Sequence, residues 1–351
     1  MRSLAIGSVT VLLAVLLLGQ QTAGQSLSLS LSLFERYLEP LRVEAGIPGL
    51  SVSVLRDGAT VWERGFGRQD LDSALAATPS TPYVIGGLAQ TLGATLLLRK
   101  CIEEGSAELS DPVVQWAPAF SDPSSTLRDV LTHSMPAAGF LYDIGRFAGL
   151  TPVVEACADA PYSQILVEEV FERLGMAQSV PAPAMAAMSA RDRAALGQGR
   201  MGHYSGILER LAVPYRVDAR SRSAARTTAP PTPGDTATGI VSTVQDLARF
   251  DSALDAGVLL LPETRTLAWT QAWPLPTGFG WFVQAYNGEP LVWQFGMVKD
   301  AYSSLILKAP NRRVTLIMLA NSDGLSAPFM LESGDVTTSV FAKLFLRLLV
   351  V

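Results

Sequence analysis

Residues able to carry out chemistry are few in this chain and widely spread. Among 351 residues there are two histidines, His133 and His203, two cysteines, Cys101 and Cys157, and four lysines, Lys100, Lys299, Lys308 and Lys343. No acidic or thiol cluster surrounds either histidine, so the sequence predicts no metal site, and nothing in it calls for a cofactor. Cys101 and Cys157 could form one disulfide in an oxidising compartment, but both sit in apolar helical contexts and the reading favours buried free thiols. Arg216, Arg220, Arg222 and Arg226 lie among Ser, Thr and Pro, where they could meet an anion, although that composition reads first as a solvated loop. The glycine pair Gly86-Gly87 stands just before a long apolar run. At a helix start, free N–H groups and the helix dipole would favour negative charge there.

That run must be positioned by the rest of the chain. Over residues 83–105, Leu88, Leu92, Leu96 and Leu97 recur at helical spacing, Ala89, Ala94, Leu98, Cys101 and Ile102 fill the other faces, and Gly105 suits a left-handed cap. A helix apolar on every side is a buried one. Upstream, Phe34, Leu38, Leu41 and Ala45 predict an amphipathic helix ending at Gly46. Leu50, Val52 and Val54 alternate with Ser51 and Ser53, and the turn Arg56-Asp57-Gly58 leads into a returning strand over residues 60–66. Helical segments are predicted to open at Asp111-Pro112, to span 126–132, and to run over 164–174 with Gly175 at the end. Residues 181–187 and 216–238 read as irregular connections. Ser242 and Gln245 have capping-box spacing ahead of a helix bearing Leu247, Phe250 and Leu254. Strands are expected at 278–283 and 291–294, with 304–307 pairing with 314–320 across Pro310-Asn311-Arg312. A last helix carries Val336, Val340, Phe341, Leu344, Phe345 and Leu348 under an Asp335 cap.

The fold class is therefore α+β, with an antiparallel sheet built from both chain ends and flanked by helices, and a helical lobe inserted between. Residues 34–70 and 235–351 make the sheet-containing lobe and 71–234 the helical one, with the inter-lobe cleft as the expected ligand site. The first residues, Met1-Arg2 followed by an apolar run over 4–19 and then Gln21-Thr22-Ala23-Gly24, read as a signal peptide over 1–24; the alternative is an uncleaved anchor, for which the run is short. The Ser/Leu alternation of 25–33 reads as an N-terminal tail. Export to a periplasmic or extracellular location, with no stable membrane span after cleavage, follows as an expectation. With 48% apolar and 17% charged residues the chain is not disordered, and a net charge of −5 gives no footprint for nucleic acid.

Several phrases, in their order, give the chain its likeness to a known family. They include Ile47-Pro48-Gly49-Leu50-Ser51-Val52-Ser53-Val54, Gly65-Phe66-Gly67, Asp111-Pro112-Val113, Leu127-Arg128-Asp129-Val130-Leu131-Thr132-His133-Ser134, Val241-Ser242-Thr243 with Asp246-Leu247-Ala248-Arg249-Phe250, and Leu319-Ala320-Asn321. The chain resembles the serine β-lactamase and penicillin-binding-protein superfamily, in particular its class C β-lactamase and esterase branch. The resemblance implies the β-lactamase/transpeptidase fold and a Ser-x-x-Lys at the start of the central helix, where hydroxyl and amine stand one turn apart so that the lysine can take the serine proton. The matching positions here read Gly87-Leu88-Ala89-Gln90. The second implied element, Tyr-x-Asn, falls on Tyr142-Asp143-Ile144, and the third, Lys- or His-x-Gly on a strand, near Gln294-Phe295-Gly296.

No lysine rescues the first motif: the residues three before the four lysines are Leu97, Gly296, Leu305 and Val340. Thr91 lies off the required face, and a mid-helix threonine usually bonds its own backbone. His133 sits in a phrase whose implied role is structural, and Lys299, near the cleft strand, is the residue that could supply a missing positive charge. The expectation is an exported serine-hydrolase homologue that is catalytically inactive and binds a small acyl or peptide ligand or a partner in the cleft. The alternatives are an active esterase, amidase or peptidase with relocated groups, and a scaffold whose cleft is closed by side chains such as Ile144 and Phe295.

Overall fold

The computed structural model describes residues 26–135, 139–218 and 220–350; the segment expected to be a signal peptide lies outside them. Helix α1 covers residues 26–44, so 26–33, expected to be a tail, form its first turns. The reason is packing: Leu31, Phe34 and Leu38 fall on one face and are buried against the sheet, and that face outweighs the period-two pattern of the Ser/Leu run.

Strand β1 (Gly49–Arg56) turns at Asp57-Gly58, both with positive φ, into β2 (Ala59–Asp70), and the short β3 (Leu75–Ala76) follows at the edge. The sheet has seven strands, all neighbours antiparallel. Its order is Phe282–Tyr286, Glu289–Val298, Tyr302–Ala309, Val314–Ala320, β1, β2, β3. Both chain ends therefore meet in its middle, where Val52 pairs with Met318 and Val54 with Leu316. Ser51 and Ser53 are buried, because β1 is covered on both faces. One face packs on α1 and the C-terminal helix through Phe34, Leu38, Phe341 and Phe345. The other packs on the central helix and the helices around it through Ile306, Ile317 and Leu319.

The central element begins as a tight 3₁₀ turn at Gly86–Ala89, continues as helix α2 (Gln90–Leu97) and widens at Leu98–Glu103, with Gly105 at φ +74° closing it. Every residue from Gly86 to Leu98 is buried. The cysteines expected to be free thiols are joined: Cys101 and Cys157 form a disulfide with Cα atoms 5.4 Å apart, because Thr151–Ala158 packs against the end of the central element.

Other local readings shift by small steps. The helix Val244–Asp255 is capped by Thr243, which accepts from Asp246 N–H, one position later than the expected Ser242. Asp335 caps a short 3₁₀ turn, and Ser339 caps the final helix Val340–Phe345. The helix Ala190–Leu208 has no counterpart among the expected elements, although the reciprocal capping box of Ser189 and Asp192 marks its start. Its four glycines and a kink at Gly197 hide the periodicity. At the start of 216–238 a small hairpin pairs Tyr215–Val217 with Ala224–Arg226, and Arg226 meets Asp72 at 3.2 Å. Among the described residues, no helix is long and apolar enough to cross a membrane.

Candidate functional site

Close approach of two backbones sets the site. Gly86, at φ +54°, brings the 3₁₀ turn against Met297, and a side chain at Gly296 would overlap the Ile85 carbonyl. Glycine at both places lets the start of the central helix lie directly on the strand Glu289–Val298. The hydroxyl of Ser304 donates to the same Ile85 carbonyl at 2.7 Å and fixes the contact.

The structure brings the sequence-selected positions Gly87, Gln90, Tyr142, Ile144, Gln294 and Gly296 together. A Cβ on Gly87 would stand 2.8 Å from the Tyr142 hydroxyl, 3.3 Å from the Phe295 carbonyl oxygen and 3.5 Å from Ile144 Cδ1. Tyr142, Phe295 and Ile144 thus stand around the place a side chain's first atom would take on Gly87. Tyr142 is held there by stacking on Phe295, with ring centroids 5.2 Å apart, and by His133 on its other side at 4.6 Å. The chain from Asp323 to Thr338, a succession of 3₁₀ turns, runs past the same place, with Ser326 donating to the Gly296 carbonyl at 3.1 Å and Gly334 packed on Pro276 and Phe282.

A single hydrogen-bond network joins the polar members. Asp143 N–H donates to His133 Nδ1 at 3.2 Å, which assigns the ring proton to Nε2, and Nε2–H donates to Gln90 Oε1 at 2.8 Å. Gln90 Nε2 donates to the Tyr142 hydroxyl at 3.1 Å. Gln294 Nε2 donates to the Gly280 carbonyl at 3.2 Å and lies 3.4 Å from Gln90 Oε1, while its own oxygen accepts from Phe295 N–H. All these groups are neutral. Burial, with Arg146 nearby, lowers the His133 pKa to about 3, and burial raises that of Tyr142 well above the ordinary phenol range. At neutral pH neither a cation nor an oxyanion is present at this point.

His133 joins the network from a left-handed backbone at φ +53°, with its ring buried. Thr91 bonds back to the Leu88 carbonyl at 2.9 Å, as expected of a mid-helix threonine. Lys299 stands on the exposed turn after Glu289–Val298, with no hydrogen bond or ion pair among the described residues. Sequence reasoning missed two other polar places. One is a buried ion cluster around Lys308, signalled only by a lysine inside an apolar strand; the other is a cavity beside Asp235.

The Beta-lactamase family model matches residues 34–333. The chain belongs to the Beta-lactamase family. That family groups β-lactamase-like serine hydrolases, and the solved structures agree on the fold. The octameric penicillin-binding protein homologue from Pyrococcus abyssi superposes with a TM-score of 0.69 at 20% identity, over 86% of this chain and 76% of its own. The D-amino acid amidase from Ochrobactrum anthropi SV3 gives 0.69 at 16% identity, over 90% of this chain and 98% of its own. By sequence, a teichoic acid D-alanine hydrolase of Staphylococcus aureus (strain MRSA252) is 33% identical over 84 residues, 24% of this chain and 21% of its own length. The chain spans less than half the length of the curated relatives it matches, 41% and 21% for the first two.

Proposed function

We propose that the protein is an exported, non-catalytic member of this family whose cleft is closed, and that it acts by binding or scaffolding through other parts of its surface. The observation that carries the reading is the crowding over Gly87, where the Tyr142 hydroxyl stands 2.8 Å from the place a side chain's first atom would take. Acyl transfer needs a nucleophile, a base within hydrogen-bond reach and room for the acyl group beside them. Gly87 offers no hydroxyl, Gln90 is no base and is tied to His133 and Tyr142, and the Tyr142 hydroxyl crowds the place beside Gly87. In a serine protease, loss of the nucleophile alone lowers kcat roughly 10⁶-fold.

Of the three sequence expectations, the closed scaffold is the one the geometry favours over a ligand held in the cleft. Relocated catalysis would have to draw on Lys299, which stands on an exposed turn, with Tyr142 and the glycine-lined helix start. Export is supported by the composition of residues 1–24 and by the Cys101–Cys157 disulfide, which suits an oxidising compartment.

Intact-mass measurement after incubation with benzylpenicillin, and separately with an activated ester, tests inactivity. The expected result is an unchanged mass; a stoichiometric adduct within 87–95 or on Tyr142 overturns it. N-terminal sequencing of protein recovered outside the cytoplasm tests export, with cleavage near residue 24 expected and an intact Met1 in the cytoplasmic fraction against it.

A further inference from the structure

The helix Ile144–Ala148 also borders a cavity of about 850 Å³, lined by its Gly145, Arg146 and Ala148. Its walls are largely apolar: Trp116 and Phe120 from one loop, with Pro152 opposite. A volume of this size, with aromatic walls and a few polar groups, suits a small organic ligand.

The polar groups decide its charge. Arg146 lines the cavity, but its guanidinium is turned into the protein, where it donates to Ser134 O and Ser125 Oγ and lies 5.9 Å from the centre of the Phe120 ring. Its Nε is shielded and unpartnered, and burial lowers its pKa against the opposing pull of Asp122, Asp129 and Asp143. Asp143 is already engaged as the N-cap of the helix, accepting from Arg146 N–H at 2.9 Å. Asp235 is different. Its Oδ1 accepts the N–H groups of Ala237 and Thr238, each at 2.8 Å, the Thr238 hydroxyl lies 3.4 Å from both carboxylate oxygens, and among the described residues no Lys or Arg pairs with it. Burial pushes its carboxyl above the usual range, against those hydrogen bonds. The Tyr162 hydroxyl, buried and without a partner, lies within its electrostatic reach.

We propose that this cavity binds an organic cation, an ammonium group carried on an aromatic or short alkyl body, with Asp235 as counter-ion and Trp116 and Phe120 as its apolar walls. A half-buried carboxylate lacking a cation gains most from a ligand that brings one, and the Trp116 face adds cation–π attraction, the Phe120 ring already facing Arg146. A carboxylate ligand would meet Asp143 and Asp235 with the one guanidinium turned away.

The test uses the full chain and 2-phenylethylammonium as probe, with 2-phenylethanol and 3-phenylpropanoate as neutral and anionic matches, measured by calorimetry or ligand-observed NMR. The ammonium is expected to bind at least about tenfold more tightly than either match, the ratio a single well-placed charge supplies. Asp235→Asn keeps an oxygen for the Ala237 and Thr238 N–H groups and is expected to erase that ratio while leaving the alcohol's affinity unchanged. Gly145→Leu, at an exposed lining position where a new Cβ meets nothing closer than 3.4 Å, blocks the cavity without a core change and is expected to abolish binding of the ammonium. Equal affinity for ammonium and alcohol, ammonium binding that survives Gly145→Leu, or no binding of the ammonium by the wild type overturns the proposal.

Discussion

Lys308 and Gln90 both reach into the layer between the sheet and the helices, and their surroundings differ in one respect. Lys308, on Tyr302–Ala309, is buried with its Nζ bonded to Asp251, 3.0 Å from Asp255 and 3.3 Å from Thr315 Oγ1, and 5.2 Å from the centre of the Trp269 ring. Gln90, at the helix start, is surrounded by His133, Tyr142 and Gln294, none of them charged. Within the same core, a cation is kept where carboxylates face it, and an amide stands where no carboxylate does. A buried charge costs several kcal/mol unless it is paired and hydrogen-bonded, so the partners available decide whether a position can hold lysine.

Replacing Lys308 by Met is the strongest way to break this contrast. It leaves the Asp251 carboxylate buried without a cation and is expected to cost about 4 kcal/mol in urea unfolding. The double replacement Lys308→Met with Asp251→Leu removes the buried pair, leaves the partly exposed Asp255 to solvent, and should recover most of that loss. Gln90→Lys imposes the charge on the neutral cluster. The expected loss is about 3 kcal/mol at pH 7, shrinking as pH approaches the unfolded lysine value near 10, because burial depresses the folded pKa. A Gln90→Lys protein as stable as wild type at pH 7 would mean that the cleft is open to water.

His133 supplies a titration of the same neutral cluster. Its folded pKa of about 3 lies below the ordinary histidine value of 6.5, so the unfolded chain takes up the proton first. Its contribution is complete above pH 6.5 and is lost as pH falls from there toward 3, by at most about 1.4 kcal/mol per pH unit. The difference in pH dependence between wild type and His133→Asn, which tolerates the left-handed backbone, reads this out; identical profiles would place the ring in water. Gly87→Ser is expected to cost about 2 kcal/mol by overlap with Tyr142 and to gain no acylation. Tyr142→Phe, the smallest change, leaves Gln90 Nε2 without its acceptor at a cost of about 1 kcal/mol.

Much of the scaffold is legible in the sequence because it is local. The β1–β2 turn, the apolar run of the central helix and its Gly105 end, and the pairing across Pro310-Asn311-Arg312 all follow from periodicity and turn residues, which report one segment at a time. Helix 26–44 departs from the expected tail because the Ser/Leu alternation carries both periods, and only a sheet to pack on chooses between them. At the site, the sequence alone determined that Gly87 and Gln90 provide neither a nucleophilic hydroxyl nor a basic amine. Whether the place they leave is empty belongs to the tertiary structure. It depends on Tyr142 meeting Gln90 across 52 residues and His133 meeting it across 43, and on Cys157 reaching Cys101 across 56. Such contacts have no signature in local pattern, since each residue's own segment would fold the same way with a different partner opposite it. Packing in three dimensions set the Tyr142 hydroxyl beside Gly87.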